Sequence, residues 1–288
     1  MSMSPFVCLS TTEPELLSPA VLVDMGLESP QELHGNARHI AEAAAGVCHS
    51  RGGTLARLPF CNTLEAESLG ASVRLSAQGA FVPQQPYASA QELPKSLPIA
   101  SPRIDAMMQA VSILHGQGLC VAYGVTGIFT ILSQLVPMGS LFKALRGEEG
   151  RALLERMESA CLDYAEQVCR AGAQILSYAD PVATVDIVGR RTFCTSVAPC
   201  LARYLSGVQR RCPDATIFLC GKMSQSLLDA GAARFDAVSV PPDLNLEQAL
   251  LWHVRQPEGK GALGLGCLNR LDGKCSALSR LHFEGDEG

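Results

Sequence analysis

Residues 216–222 read TIFLCGK. A β-prone run, Thr216 to Leu219, ends abruptly in Cys220-Gly221, as a buried parallel strand does when it delivers a side chain to the edge of its sheet. Outward from this strand, helical and strand-like segments alternate in both directions. Upstream, 197–211 reads as helix and 174–178 as strand. The clearest helix is 148–170, with Leu153, Leu154, Met157, Cys161, Tyr164, Ala165 and Val168 on one stripe. Before it, 119–124 is a strand preceded by a helix over 104–115. The strand 54–58 follows a helix over 29–48 that opens with a serine cap and Pro30. Downstream, 224–229 reads as a short helix, 235–240 as strand, 246–254 as helix and 261–265 as strand.

So many βα units without a linker argue for a parallel sheet with helices outside, either doubly wound or closed into a (β/α)8 barrel. Neither GxGxxG nor GxxxxGK[ST] follows any predicted strand, which favours the barrel. Residues 1–288 are read as one domain, with 76–98, rich in Gln, Pro and Ser, as an irregular insertion.

A composition of 47% apolar residues supports a sizeable core, and a formal charge of −5 with scattered lysines and arginines leaves no footprint for nucleic acid. No apolar run approaches the length of a membrane span, and MSMSPFVCLSTTEPELLSP (1–19) lacks the basic start of a signal peptide, so the expected location is the cytoplasm. The 12 cysteines, spread over a large chain with no CxxC, read as mostly reduced thiols.

In a barrel the chemistry sits just after the strands. Those positions hold Cys61 and Asn62, with Glu65 and Glu67 close behind; Thr126-Gly127; Asp180-Pro181; Cys220-Gly221-Lys222; and Cys267-Leu268-Asn269. Cys220, Cys61 and Cys267 are either functional thiols or small buried hydrophobes. Glu65 is either a helix-start charge or a working carboxylate, and Asp180 either fixes a turn or faces the cavity. Thr126 reads as a helix cap, with Gly127 allowing close approach of a substrate. The other cysteines, Cys8, Cys48, Cys120, Cys161, Cys169, Cys194, Cys200, Cys212 and Cys275, read as packing residues. His34, His39, His49 and His115 read as surface or capping residues, and His253 as a helix-end cation.

Four segments, LPFCNTLEAESLGASV (58–73), YGVTGIFTILSQLV (123–136), ILSYADPVATVDIVG (175–189) and IFLCGK (217–222), resemble the uroporphyrinogen decarboxylase superfamily. The resemblance is to its corrinoid branch, the methylcobamide:coenzyme M methyltransferases, and runs from about residue 18 to about 270. It implies a (β/α)8 barrel whose cavity takes a methyl group from methylcobalamin carried on a small corrinoid protein. The acceptor is expected to be a thiol, with tetrahydrofolate as the alternative. Enzymes of this branch hold zinc through an H-x-C motif and a later cysteine, and zinc lowers the pKa of the acceptor thiol. Cys220 falls on the motif cysteine, whereas Phe218 stands at the histidine position; Cys61, Cys267 or, if 277–283 is a last strand, His282 are the substitute ligands. The catalytic carboxylates are then Glu65 and Asp180, and Asn62, Thr126 and Gly127 contact the bound groups. The chain after Gly266 matches poorly. The decarboxylase activity is less favoured, because no arginine-rich loop with a nearby aspartate precedes Pro59. A barrel that retains only corrinoid or partner binding is the second reading, motivated by Phe218.

Overall fold

The computed structural model describes residues 19–76, 79–257 and 261–284. Cys8 and nearly all of the N-terminal stretch quoted above lie outside them. The strands are β1 (Leu55–Leu58), β2 (Arg74–Ser76), β3 (Gly79–Phe81), β4 (Cys120–Thr126), β5 (Ile175–Ala179), β6 (Thr216–Cys220), β7 (Ala233–Ser239), β8 (Ala262–Gly266) and β9 (Ala277–Phe283). Seven of them form one sheet in the order β1-β4-β5-β6-β8-β9-β7, and β2 pairs with β3 in a separate antiparallel ribbon. Pairing from β1 through β4, β5 and β6 to β8 is parallel, and the last two pairings, β8 with β9 and β9 with β7, are antiparallel. The chain is therefore α/β with a parallel-dominated sheet, as the alternating pattern requires.

Successive side chains of a strand point to opposite faces, and the core divides accordingly. Val121, Tyr123, Leu176, Tyr178, Ile217 and Leu219 pack outward with Met107 and Val111 of the Pro102–Gly116 helix, Tyr164 and Val168 of the Glu148–Arg170 helix, and Leu201 and Tyr204 of the Ala198–Arg211 helix. Leu55, Ala122, Ile175, Phe218 and Leu263 face inward and meet Ala249 and Leu250 of the Leu246–Val254 helix, together with Leu271 and Leu278. That helix also ties the end of the chain to its start, since Glu247 Oε1 accepts the N–H groups of Thr54 at 2.8 Å and Leu55 at 3.0 Å. The inward apolar layer is a floor, and whatever lies above it sits at the carboxyl ends of the parallel strands.

Four expectations change. The helix expected over 29–48 is two helices, Pro30–Gly35 and Ala37–Ser50, because the Asn36 side chain accepts from Arg38 N and His39 N and starts the second. The strand expected near 235–240 does not follow β6 in the sheet. Arg234 and Asp236 alternate with half-buried Phe235, a pattern suited to an edge rather than a centre, and β8 takes the place beside β6. Cys194 is exposed, not a packing residue. His34 is buried rather than superficial, and His253, in the last turn of the Leu246–Val254 helix as expected, is buried too.

His34 has a measurable consequence. It is 4% exposed, edge-on to Phe60, and its Nδ1 has no hydrogen-bond partner. Burial, helped by Arg103, holds its pKa down to about 4. The folded state thus refuses a proton that the unfolded chain accepts near pH 6.5. This contribution to stability is complete above that pH and is lost as pH falls toward 4, by about 3 kcal/mol in all. Denaturant unfolding at pH 7 and pH 4.5 should show His34→Leu losing correspondingly less stability than the native chain. Equal losses would refute the assignment.

Candidate functional site

A cavity of about 280 Å³ opens above the apolar floor, at the carboxyl ends of β1, β4, β5, β6 and β8. Inward residues two apart supply its wall: Gly124 and Thr126 on β4, Ser177 and Ala179 on β5, and Phe218 and Cys220 on β6. Cys61 and Asn62 enter after β1, Asp180 after β5, Lys222 after β6, and Cys267, Leu268 and Asn269 after β8. All three cysteines named from the sequence therefore line one space, each half-buried.

Their settings differ. Cys61 Sγ accepts from Thr63 Oγ1 and from Arg103 Nη2, both at 3.4 Å, and the same arginine pairs with Glu67. Cys220 is the N-cap residue of the Gly221–Ala230 helix, whose first turn has no side-chain cap. Cys267 owes its place to an irregularity that the sequence does not announce. Phe218 is opposite Leu263 but Cys220 is opposite Gly266, so β8 carries one extra residue, and Leu265 sits there with φ at +61°. A bulge of this kind re-aims the residues that follow. Ser224, fully buried, fixes the join by donating to Cys220 O and accepting from Leu265 N, each at 3.1 Å. Leu268 and Asn269 are anchored from β1 by Arg57, whose Nη1 donates to Leu268 O and, at 3.0 Å, to Asn269 Oδ1.

The two carboxylates expected to act on substrate are held otherwise. Glu65 lies behind Thr126 and does not line the cavity: Oε1 accepts Thr126 N at 2.9 Å and Oε2 accepts Thr126 Oγ1 at 2.8 Å. Asp180 does reach the wall, but Oδ1 accepts Thr130 N and Thr130 Oγ1, and Oδ2 accepts Phe129 N and the Tyr178 hydroxyl. A carboxylate offers about four acceptor positions, and all four are engaged. Burial pushes both pKa values up, against these hydrogen bonds. Asp180, from the neighbouring strand, is thus the cap of the Ile128–Leu135 helix, in place of Thr126. Gly127 is required by that carboxylate rather than by a substrate, since a Cβ at 127 would stand 2.2 Å from Asp180 Cβ. Thr126 and Asn62 do line the cavity, and Gly127 does not.

The donors do not form a zinc site. Phe218, at the motif's histidine position, belongs to the apolar floor, and a Cβ on Gly266 would meet its Cζ at 2.7 Å. Among the described residues no three His, Cys, Asp or Glu side chains converge as a ligand set. His282 does lie on a last strand, Ala277–Phe283, but it is opposite Arg234 at the far end of β7 and contacts Asp236 Oδ2 at 3.2 Å. It cannot reach the cavity.

The pattern described as uroporphyrinogen decarboxylase (URO-D) matches residues 25–260. The chain belongs to the uroporphyrinogen decarboxylase family. Within it, the chain is 26% identical over 222 residues to the methylcobamide:CoM methyltransferase MtaA of Methanosarcina barkeri (strain Fusaro), covering 73% of this chain and 63% of that protein. It is 23% identical over 229 residues to the methylcobamide:CoM methyltransferase MtbA of Methanosarcina mazei, covering 76% and 67%. The chain thus spans somewhat under two thirds of MtaA. Its fold is that of a solved methyltransferase from Methanosarcina mazei, with a TM-score of 0.62 at 20% identity over 80% of this chain and 70% of the other. No helix among the described residues is long and apolar enough to cross a membrane.

Proposed function

We propose that this family member transfers a methyl group between a methylated corrinoid, presented by a partner protein at the cavity mouth, and a small thiol held inside. One observation carries the reading: a single small cavity joins three cysteine sulfurs, Lys222 and an uncapped helix N-terminus. Backbone N–H groups at such a terminus, together with an ammonium, favour an anion, and a thiolate is the anion that a soft, sulfur-lined wall accommodates. At about 280 Å³ the space is at the lower edge of small-ligand sites. A space of this size suits the small acceptor, with the corrinoid delivered from outside. The similarity to two methylcobamide:CoM methyltransferases supports the same chemistry.

In the step itself the acceptor loses its proton to solvent, its sulfur attacks the methyl carbon, and the S–C bond forms as the Co–C bond breaks with the electron pair left on cobalt. This chain's part is to bind and orient the thiolate and to keep water from the corner between Cys220 and Lys222. Thr126 and Asn62 shape the wall, with Glu65 and Asp180 holding the β4 loop behind it. Methylcobalamin mixed with the protein should be demethylated by small thiols far faster than by tetrahydrofolate, followed as cob(I)alamin absorbance. A preference for tetrahydrofolate would overturn the choice of acceptor.

No step is routed through zinc, because the donors do not converge. Restoring the missing nitrogen is therefore informative. Phe218 and Cys220 lie on the same face of β6, so Phe218→His sets an imidazole beside the thiol, and zinc affinity should rise by about tenfold or more, measured by competition with a chromogenic chelator. Unchanged affinity would show that positions 218 and 220 cannot share a metal ion.

A further inference from the structure

The sheet order leaves β1 at one margin, and among the described residues no backbone ladder joins it to β8, the last of the parallel strands. Two side chains bridge that seam instead. Glu247 does so at the amino end of β1, through Thr54 N and Leu55 N. Arg57 does so toward the carboxyl end, where Nη1 donates to Leu268 O and, at 3.0 Å, to Asn269 Oδ1. Residues two apart share a face of a strand, so Arg57 stands between Leu55 of the apolar floor and Pro59 of the cavity wall. It is half-buried, its Nε is enclosed without a hydrogen-bond partner, and it makes no ion pair with a carboxylate among the described residues. Burial holds its pKa down to about 10, so the guanidinium keeps its charge at neutral pH. An apolar side chain would fill this place at lower cost, since a buried charge without a counter-ion is expensive. What the guanidinium supplies is a charged donor to the segment that follows β8. That segment leaves the sheet through the Leu265 bulge, closes on itself where Cys267 O accepts Arg270 N at 2.9 Å, and is tied across to β1 by Arg57.

We propose that Arg57 is a positioning residue: it latches the wall formed by Cys267, Leu268 and Asn269 against β1 and thereby sets the width of the cavity around the acceptor. The latch stands on the geometry alone, and its kinetic consequence rests on the function proposed above. Methyl transfer needs sulfur, carbon and cobalt in line, and a wall displaced by about 1 Å costs about 100-fold in rate through lost orientation. The two ends of the seam then have different tasks. Glu247 secures the fold where β1 begins, and Arg57 secures the cavity where β1 ends.

Arg57→Met keeps most of the stem and removes the donor. In a crystal structure of this variant the 267–269 segment is expected to swing away from β1, while β8 up to Gly266 keeps its pairing with β6. With methylcobalamin and a small thiol, kcat should fall by about 100-fold and KM should change far less, because orientation is lost rather than binding. Arg57→Lys retains a charged donor, should recover part of kcat, and carries the same test if the methionine variant folds poorly. Glu247→Gln is the control for a merely structural effect: it should lower the unfolding midpoint by a few degrees and leave kcat within about twofold of the native chain. A segment that stays in place in Arg57→Met, or equal losses of kcat in Arg57→Met and Glu247→Gln, would overturn the proposal. Displacement of the segment in a chain whose native form transfers no methyl group would overturn the proposed function and leave the latch standing.

Discussion

Asp180→Ala lowers the unfolding free energy by about 3–5 kcal/mol, the largest loss expected of any single substitution at the site. Removing the carboxylate leaves four buried donors without acceptors: Phe129 N, Thr130 N, Thr130 Oγ1 and the Tyr178 hydroxyl, now held at 3.0, 2.8, 2.7 and 3.1 Å. Each buried orphan costs about 1–3 kcal/mol, and part of that is relieved when water enters from the cavity. Asp180→Asn recovers only a portion, since its amide group places hydrogens against donors. Guanidinium unfolding of the three proteins measures the difference. If Asp180→Ala were as stable as the native chain yet inactive, the carboxylate would be working on substrate, and the anchoring role assigned to it would be wrong.

Lys222→Met should lower kcat/KM for thiol acceptors by about 10–100-fold, or about 1.4–2.7 kcal/mol of transition-state stabilisation. Methionine keeps the length of the stem and removes the charge. Lys222 lines the cavity, with its ammonium 3.8 Å from Asp186 Oδ2 and its side chain about one third exposed, so its field on the acceptor acts partly through solvent. Because Lys222 favours the thiolate over the thiol, its loss should also move the half-maximal rate to higher pH, by about one unit for each tenfold loss. A fall in rate without that displacement would assign Lys222 to packing or partner contact instead.

Much of this was readable in the sequence where local pattern and tertiary role agree. The 148–170 helix and the strand leading to Cys220 follow from apolar spacing alone, and the rule that chemistry collects at strand ends placed Cys61, Cys220 and Cys267 in one cavity. What escaped depends on contacts across long separations. Nothing local to Asp180 says that it caps a helix 50 residues earlier, and Thr126-Gly127 looks like a cap when the true one arrives from another strand. The Leu265 bulge is silent because leucine has no propensity for positive φ; the conformation is imposed by Ser224 and the register of β6. The exchange of β7 for β8 beside β6 is settled by β9, and single-strand patterns do not encode neighbour order.

The most direct test of the central claim is a single-turnover reaction of the full chain with methylcobalamin and a small thiol, followed by cob(I)alamin absorbance and by mass spectrometry of the S-methylated product. The prediction is stoichiometric, thiol-dependent demethylation that is markedly slowed in Lys222→Met. Binding of the corrinoid with no methyl loss to thiols, tetrahydrofolate or any other acceptor would contradict it and leave a barrel that binds without transferring.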